Sequence, residues 1–272
     1  LHLSLRRQRQ MCIRDRLTMD IALFDFDEHE AIIEPKKTHP PIEGFPECVV
    51  SCFTDSIIEK FSQMEGVSYI TSLQCANGKV PVYKTNFKGK DVAFYKSSVG
   101  AASCAGQFEE IIAFGAKKFV LFGSCGVLNH DIADGHMMII ERAVRDEGTS
   151  FHYAPPSLYI HASQHGVETL SKVMEELQFP YIKATTWTTD AFYRETPLKL
   201  QKRKQQECIC VEMESSAMIS VAKFRKVEFA QFVFAADNLD SPVWQKRGLS
   251  LHQGLNRSDQ YMLTALKCVT EL

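Results

Sequence analysis

Residues 118–126, KFVLFGSCG, join a short apolar run to four small residues. Phe119 to Phe122 are apolar without a break. A strand with one wet face would alternate, so Lys118–Phe122 reads as a strand buried on both faces, the kind found inside a parallel sheet. Gly123-Ser124-Cys125-Gly126 then reads as a tight loop at the carboxyl end of that strand. Its backbone N–H groups and one hydroxyl could hold an oxyanion; a plain turn with no ligand fits as well. Two better-known loops do not fit. A nucleophile elbow needs glycine two residues before the serine, where Phe122 stands. A dinucleotide-binding turn needs a third glycine and an acidic residue about twenty positions on, and neither spacing is met.

Outward from this strand, short apolar runs alternate with amphipathic segments. Strands are expected at 47–51, 91–97, 136–140, 182–186, 208–211 and 229–235. Helices are expected at 55–64, 102–114, 163–177, 214–224 and 251–268, with Gly115 closing the second. Strand–helix alternation with apolar strands predicts a single α/β domain around a mixed, largely parallel central sheet with helices on both faces, a three-layer α/β/α arrangement. No repeat, low-complexity tract or linker divides the chain.

The 272 residues are 45% hydrophobic and 24% charged, which excludes disordered, collagen-like and coiled-coil classes. No run of about 18 apolar residues marks a membrane helix. The start of the chain differs from the rest. Residues 1–16 hold five of the twelve arginines and one acid, so the remainder carries 26 basic and 32 acidic side chains, a net charge of −6. Residues 1–18 are therefore read as a non-native or disordered segment and 19–272 as the domain, with Met19 as the start. Without the basic stretch nothing predicts nucleic-acid binding. Nine scattered cysteines form no CxxC pair or metal-ligand spacing, which suggests reduced thiols in a cytoplasmic protein and no bound metal.

In parallel sheets ligands collect at the carboxyl ends of strands, and four polar strand ends stand out. Besides Ser124, they are Thr188–Tyr193 (TTDAFY), Val211–Glu214 (VEME) and Ala236-Asp237-Asn238. Glu212 and Glu214 enter a helix inside apolar sequence. They suit either a helix N-terminus or the diol of a sugar, with Met213 packing on its apolar face. Asp237 suits a general acid or a cap, and Phe192 suits a stacking face or the core.

In this order, FGSCGVL, RDEGTS, TTDAFY, VEMESSAM and AADNLD resemble the nucleoside phosphorylase family, which includes hexameric purine nucleoside phosphorylases, uridine phosphorylases and the methylthioadenosine/S-adenosylhomocysteine nucleosidases. The resemblance covers about residues 45–270. It implies a nucleoside phosphorylase-like α/β/α domain that assembles as a homo-oligomer, a dimer or hexamer, and cleaves the N-glycosidic bond of a nucleoside. Phosphorolysis to free base and pentose 1-phosphate is the leading expectation, with phosphate as co-substrate, no cofactor, and no nucleic-acid or membrane partner. By position, Met213 and Glu214 match the ribose clamp, and Thr189, Phe192 and Val211 the base-site wall. Asp237 matches the acid that protonates a departing purine, Arg247 an arginine that assists it, and Gly123 and Ser124 the phosphate loop.

Two departures bear on the chemistry. The Gly-Asp-Pro-x-Arg segment of phosphorolytic members is replaced by Val50–Asp55 (VSCFTD), and the arginine two residues before the GSxG loop is Leu121. No arginine occurs between Leu17 and Glu141, so the bidentate grip on phosphate is missing from this half, leaving Lys84, Lys88 or Lys96 as weaker substitutes. Water therefore rivals phosphate as nucleophile, and an idle nucleoside-binding protein is a further alternative. Uridine enzymes read the base with Gln and Arg beyond the TDxFY segment; Arg194 is present here, but no Gln follows until Gln201.

Overall fold

In the computed structural model, which describes residues 21–75, 78–247 and 254–272, the 118–122 run begins a ten-residue strand at the centre of the sheet. The 1–18 segment and Met19 lie outside the described residues. Four strands run parallel in the order β4 (Lys90–Lys96), β1 (Cys48–Cys52), β5 (Lys118–Val127) and β10 (Glu228–Asn238). A second parallel group contains β6 (Met137–Asp146), β8 (Tyr181–Thr189) and β9 (Cys208–Glu212). Antiparallel pairings of β10 with β6 and of β5 with β9 join the groups, so five strands close into a ring, β5-β9-β8-β6-β10. An antiparallel hairpin of β2 (Ser68–Cys75) and β3 (Gly78–Phe87) extends the open edge beyond β4, and β7 (Tyr159–His161) pairs with β6.

Seven helices accompany the strands among the described residues: α1 (Pro35–Thr38), α2 (Asp55–Ser62), α3 (Ala101–Phe114), α4 (Gln164–Glu176), α5 (Pro197–Gln205), α6 (Ser215–Arg225) and α7 (Gly254–Glu271). The uninterrupted apolar character of β5 follows from its place between two layers. Phe119 and Leu121 point into a core shared with Phe108 and Ile111 of α3 and with Met218 and Ile219 of α6. Val120 and Phe122 point the other way, towards Ile57 of α2, Leu170 of α4 and Tyr261 of α7. There Phe122 stacks on Phe232 of the neighbouring strand, centroids 5.3 Å apart and rings 6° from parallel. This is the α/β/α sandwich expected from the sequence.

The strands run further than their apolar stretches. Gly123-Ser124-Cys125-Gly126 is not a loop but the second half of β5: Gly123, Ser124 and Cys125 stay in register with Val233, Phe234 and Ala235 of β10. At Gly126 the strand passes its pairing to Val211 of β9. The β10 register then shifts between Ala235 and Asn238, a bulge that frees Asp237 from the ladder. The hairpin of β2 and β3 and helix α5 are additions to the elements expected from the sequence. The hairpin is only partly buried at a sheet edge, and α5 (PLKLQKRKQ) buries a single residue, Arg203, so neither carries an apolar pattern.

Candidate active site

The junction of β9 and α6 separates the two acidic residues of VEME. Glu212 turns inwards and acts as the cap. Its Oε2 accepts the N–H of Glu214 at 2.8 Å and of Ser215 at 2.6 Å, and its Oε1 accepts the Thr188 hydroxyl at 2.6 Å. The Thr188 hydroxyl oxygen in turn accepts the N–H of Ser216, so three of the donors at the start of α6, on Glu214, Ser215 and Ser216, have partners. Glu214 faces the other way. Its Oε1 accepts the N–H of Gly100, at the start of α3, at 2.6 Å, leaving acceptor capacity free. Burial, reinforced by the charge of Glu212, pushes the Glu214 carboxyl up to about 8.

Across the strand ends, Asp237 stands on the β10 bulge. Its Oδ2 accepts the indole N–H of Trp244 at 2.8 Å. Gly126 lets β5 pass close by: a Cβ there would lie 3.2 Å from Asp237 Oδ1 and 2.5 Å from the Leu239 side chain. Gly123 serves a different purpose, since a Cβ would fall 2.5 Å from the Phe53 ring. Phe53 stands in the stretch that replaces the phosphorolytic Gly-Asp-Pro-x-Arg segment.

Glu214 and Asp237 line one cavity of about 830 Å³ at the carboxyl ends of β5, β9 and β10, together with Ser124, Val211, Met213 and Phe192. Three other residues matched to the site are not in its lining. Thr189 is buried, and its hydroxyl accepts the N–H of Ala191. Gly123 lies beneath Phe53. Arg247 donates to the carbonyls of Ile132 at 2.7 Å and His130 at 3.5 Å, so its guanidinium is spent on the loop before β6. Trp244 takes the place beside Asp237 that the resemblance gives to Arg247. Trp244, Glu195 and Phe53 also line the cavity. None had a sequence signal, because they lie outside the apolar runs and reach the site only through the tertiary fold.

The ionisable groups of the described cavity lining are all acidic. Four carboxylates, Glu195, Glu212, Glu214 and Asp237, line it, and no described residue in the lining is Lys, Arg or His. Three cations of the segments compared with the phosphate and RDEGTS motifs are engaged elsewhere. Lys96 pairs with Asp55 at 2.7 Å and Lys84 with Asp91 at 3.4 Å. Arg145 of the RDEGTS segment donates to the hydroxyls of Ser150 and Ser157 and to the carbonyls of Ala154 and Pro155. That segment is a hydrogen-bonded structural turn.

Residues 49–267 match a family model described as the phosphorylase superfamily. A purine nucleoside phosphorylase of Plasmodium falciparum is 31% identical over 152 residues, which are 53% of this chain and 60% of that protein. The chain thus spans about 60% of the length of the curated relatives it matches. Among solved structures, a uridine phosphorylase of Vibrio fischeri superposes with a TM-score of 0.69 at 22% identity, covering 85% of this chain and 95% of that one. An AMP nucleosidase of Bacteroides thetaiotaomicron superposes with a TM-score of 0.66 at 18% identity, covering 83% and 88%. At these identities the superpositions speak for the fold.

Proposed function

The chain belongs to the phosphorylase superfamily, and from that premise we propose that it cleaves the N-glycosidic bond of a nucleoside, most readily a purine nucleoside. The observation that carries this reading is the convergence of Glu214 and Asp237 on one cavity from separate strand ends. Cleavage builds positive charge on the sugar and negative charge on the departing base. Asp237 protonates the ring nitrogen as the bond breaks, a role of the kind that contributes about 10²–10⁴-fold. Glu214, held by the Gly100 N–H, takes the sugar hydroxyls, and Met213 packs against the apolar face of the sugar. The aromatic ring of Phe192 and the side chain of Val211 bound the base.

The acceptor implied by the resemblance is phosphate, held beside Ser124. A second reading, with water as acceptor, is favoured by a specific observation: the cavity is lined by four acidic side chains and, among the described residues, no cation, so nothing in the lining supplies the charge-assisted donors that hold a phosphate. The reaction as proposed needs no cofactor. A homo-oligomer remains part of the proposal, as does a cytoplasmic setting; the latter is supported by seven buried, unpaired cysteines among the described residues. No described helix is long and apolar enough to cross a membrane.

The test is a panel of purine and pyrimidine nucleosides incubated with and without phosphate, with base and sugar products separated. Release of free base supports the proposal. Pentose 1-phosphate formed only with phosphate identifies phosphorolysis, and free pentose in phosphate-free buffer identifies hydrolysis. Saturable binding with no product from either acceptor would leave an idle binding protein instead.

A further inference from the structure

Glu195 is the one cavity carboxyl with no task in this scheme. It follows the 3₁₀ turn Phe192–Arg194 and precedes Thr196, whose hydroxyl caps α5 by accepting the Lys199 N–H. The turn presents the Glu195 side chain to the cavity on the wall shared with Phe192, near enough to Asp237 to feel its charge. Among the described residues no group donates a hydrogen bond or ion pair to the Glu195 carboxyl. A half-buried carboxyl with no protein partner is left to water or to a ligand that enters the cavity.

The chemistry of that ligand follows from the neighbour. An ionised carboxylate can only accept hydrogen bonds. If Asp237 serves the ring nitrogen that leaves protonated, the next polar group along that edge of a purine is its 6-substituent. We propose that Glu195 is a specificity-determining residue that accepts an N–H of a 6-amino group, so that 6-aminopurine nucleosides are preferred over their 6-oxo counterparts. The proposal rests on the assignment of Asp237 and Glu214 and deepens it.

The charged groups around Glu195 make the preference dependent on pH. Asp237 on β10 faces it across the cavity, and Glu212 and Glu214 from the end of β9 line the same space. Lys199 on α5 is the opposing cation, 3.5 Å from Asp146. Burial, with the charge of Asp237, pushes the Glu195 carboxyl up to about 7. Above that value it accepts from an amino group; below it, the protonated carboxyl donates to a 6-oxo group.

The experiment measures kcat/KM for adenosine and for inosine from about pH 5.5 to 8.5, in the wild type and in Glu195→Gln. Glu214 takes the sugar, which the two substrates share, so its titration acts on both and cancels in the ratio. The expected adenosine-to-inosine ratio rises about tenfold or more with pH in the wild type, and is flat and lowered in E195Q. A wild-type ratio that ignores pH, or an active E195Q with the wild-type ratio and slope, overturns the proposal while leaving the nucleosidic activity standing. Cleavage of neither substrate by the wild type overturns the underlying assignment and the proposal with it. If E195Q does not fold, the wild-type pH series decides alone.

Discussion

Replacing Asp237 with asparagine keeps the shape of the side chain and removes the transferable proton. Activity on a purine nucleoside is expected to fall by about 10²–10⁴-fold with little change in thermal melting, as read by steady-state kinetics beside a melting curve. Trp244→Phe withdraws the indole N–H from Asp237 Oδ2, and one such bond is worth about 0.5–1.5 kcal/mol, a loss of roughly tenfold at most. Glu214 predicts a stability effect as well. Its carboxyl rises from an ordinary 4.5 to about 8 on folding, so the folded protein holds a proton there that the unfolded chain releases. The associated stability is fully present below about pH 4.5 and is lost as pH rises through 8. Melting temperatures measured from about pH 5 to 8.5 should therefore fall more steeply for the wild type than for Glu214→Gln, and parallel curves would contradict this. Met213, Glu214 and Asp237 were legible in the sequence because polar or sulfur-bearing groups follow apolar strands there. Glu195 and Trp244 were not, since their place depends on a 3₁₀ turn and on the return of the chain after β10.

At the scale of elements, the β9–α6 junction divides labour that the sequence could not divide. Glu212 and Glu214 are both acids in apolar surroundings, yet only the fold decides that Glu212 caps the helix while Glu214 faces the cavity. Glu212→Ala would strip partners from the N–H groups of Glu214 and Ser215 and from the Thr188 hydroxyl. The expected loss of stability is at least about 2 kcal/mol, measured by denaturant unfolding and larger than that of E214Q. Gly126 makes the complementary case at β5. A methyl group 2.5 Å from Leu239 and 3.2 Å from Asp237 Oδ1 must displace one of them, so Gly126→Ala should lower kcat before it lowers affinity for the nucleoside. Strands buried on two faces, such as β5, announce themselves by unbroken apolar runs. Their continuation through Gly123–Val127 does not, because small residues in a ladder look the same as small residues in a loop.

The whole molecule places a closed ring of five strands between two helical layers and opens one acidic cavity at its strand ends. Layer order and the central strand were readable from local pattern, and the family from the joint resemblance of five segments in order. The charge of the cavity was readable only in part: missing arginines could be seen in the sequence, whereas the diversion of Arg145 and Arg247 to backbone carbonyls is a tertiary fact. The lack of a cation in the described lining predicts that inorganic phosphate accelerates the reaction weakly if at all, a point settled by comparing rates at zero and saturating phosphate. The most direct measurement is the release of free base from adenosine or inosine by wild type, D237N and E214Q proteins, each shown by its melting curve to be folded at the assay temperature and pH. Base release by the wild type, with both variants slowed by about 10²-fold or more, is the predicted result. Undiminished release by either variant, or none by the wild type, would contradict the joint action of the two carboxylates.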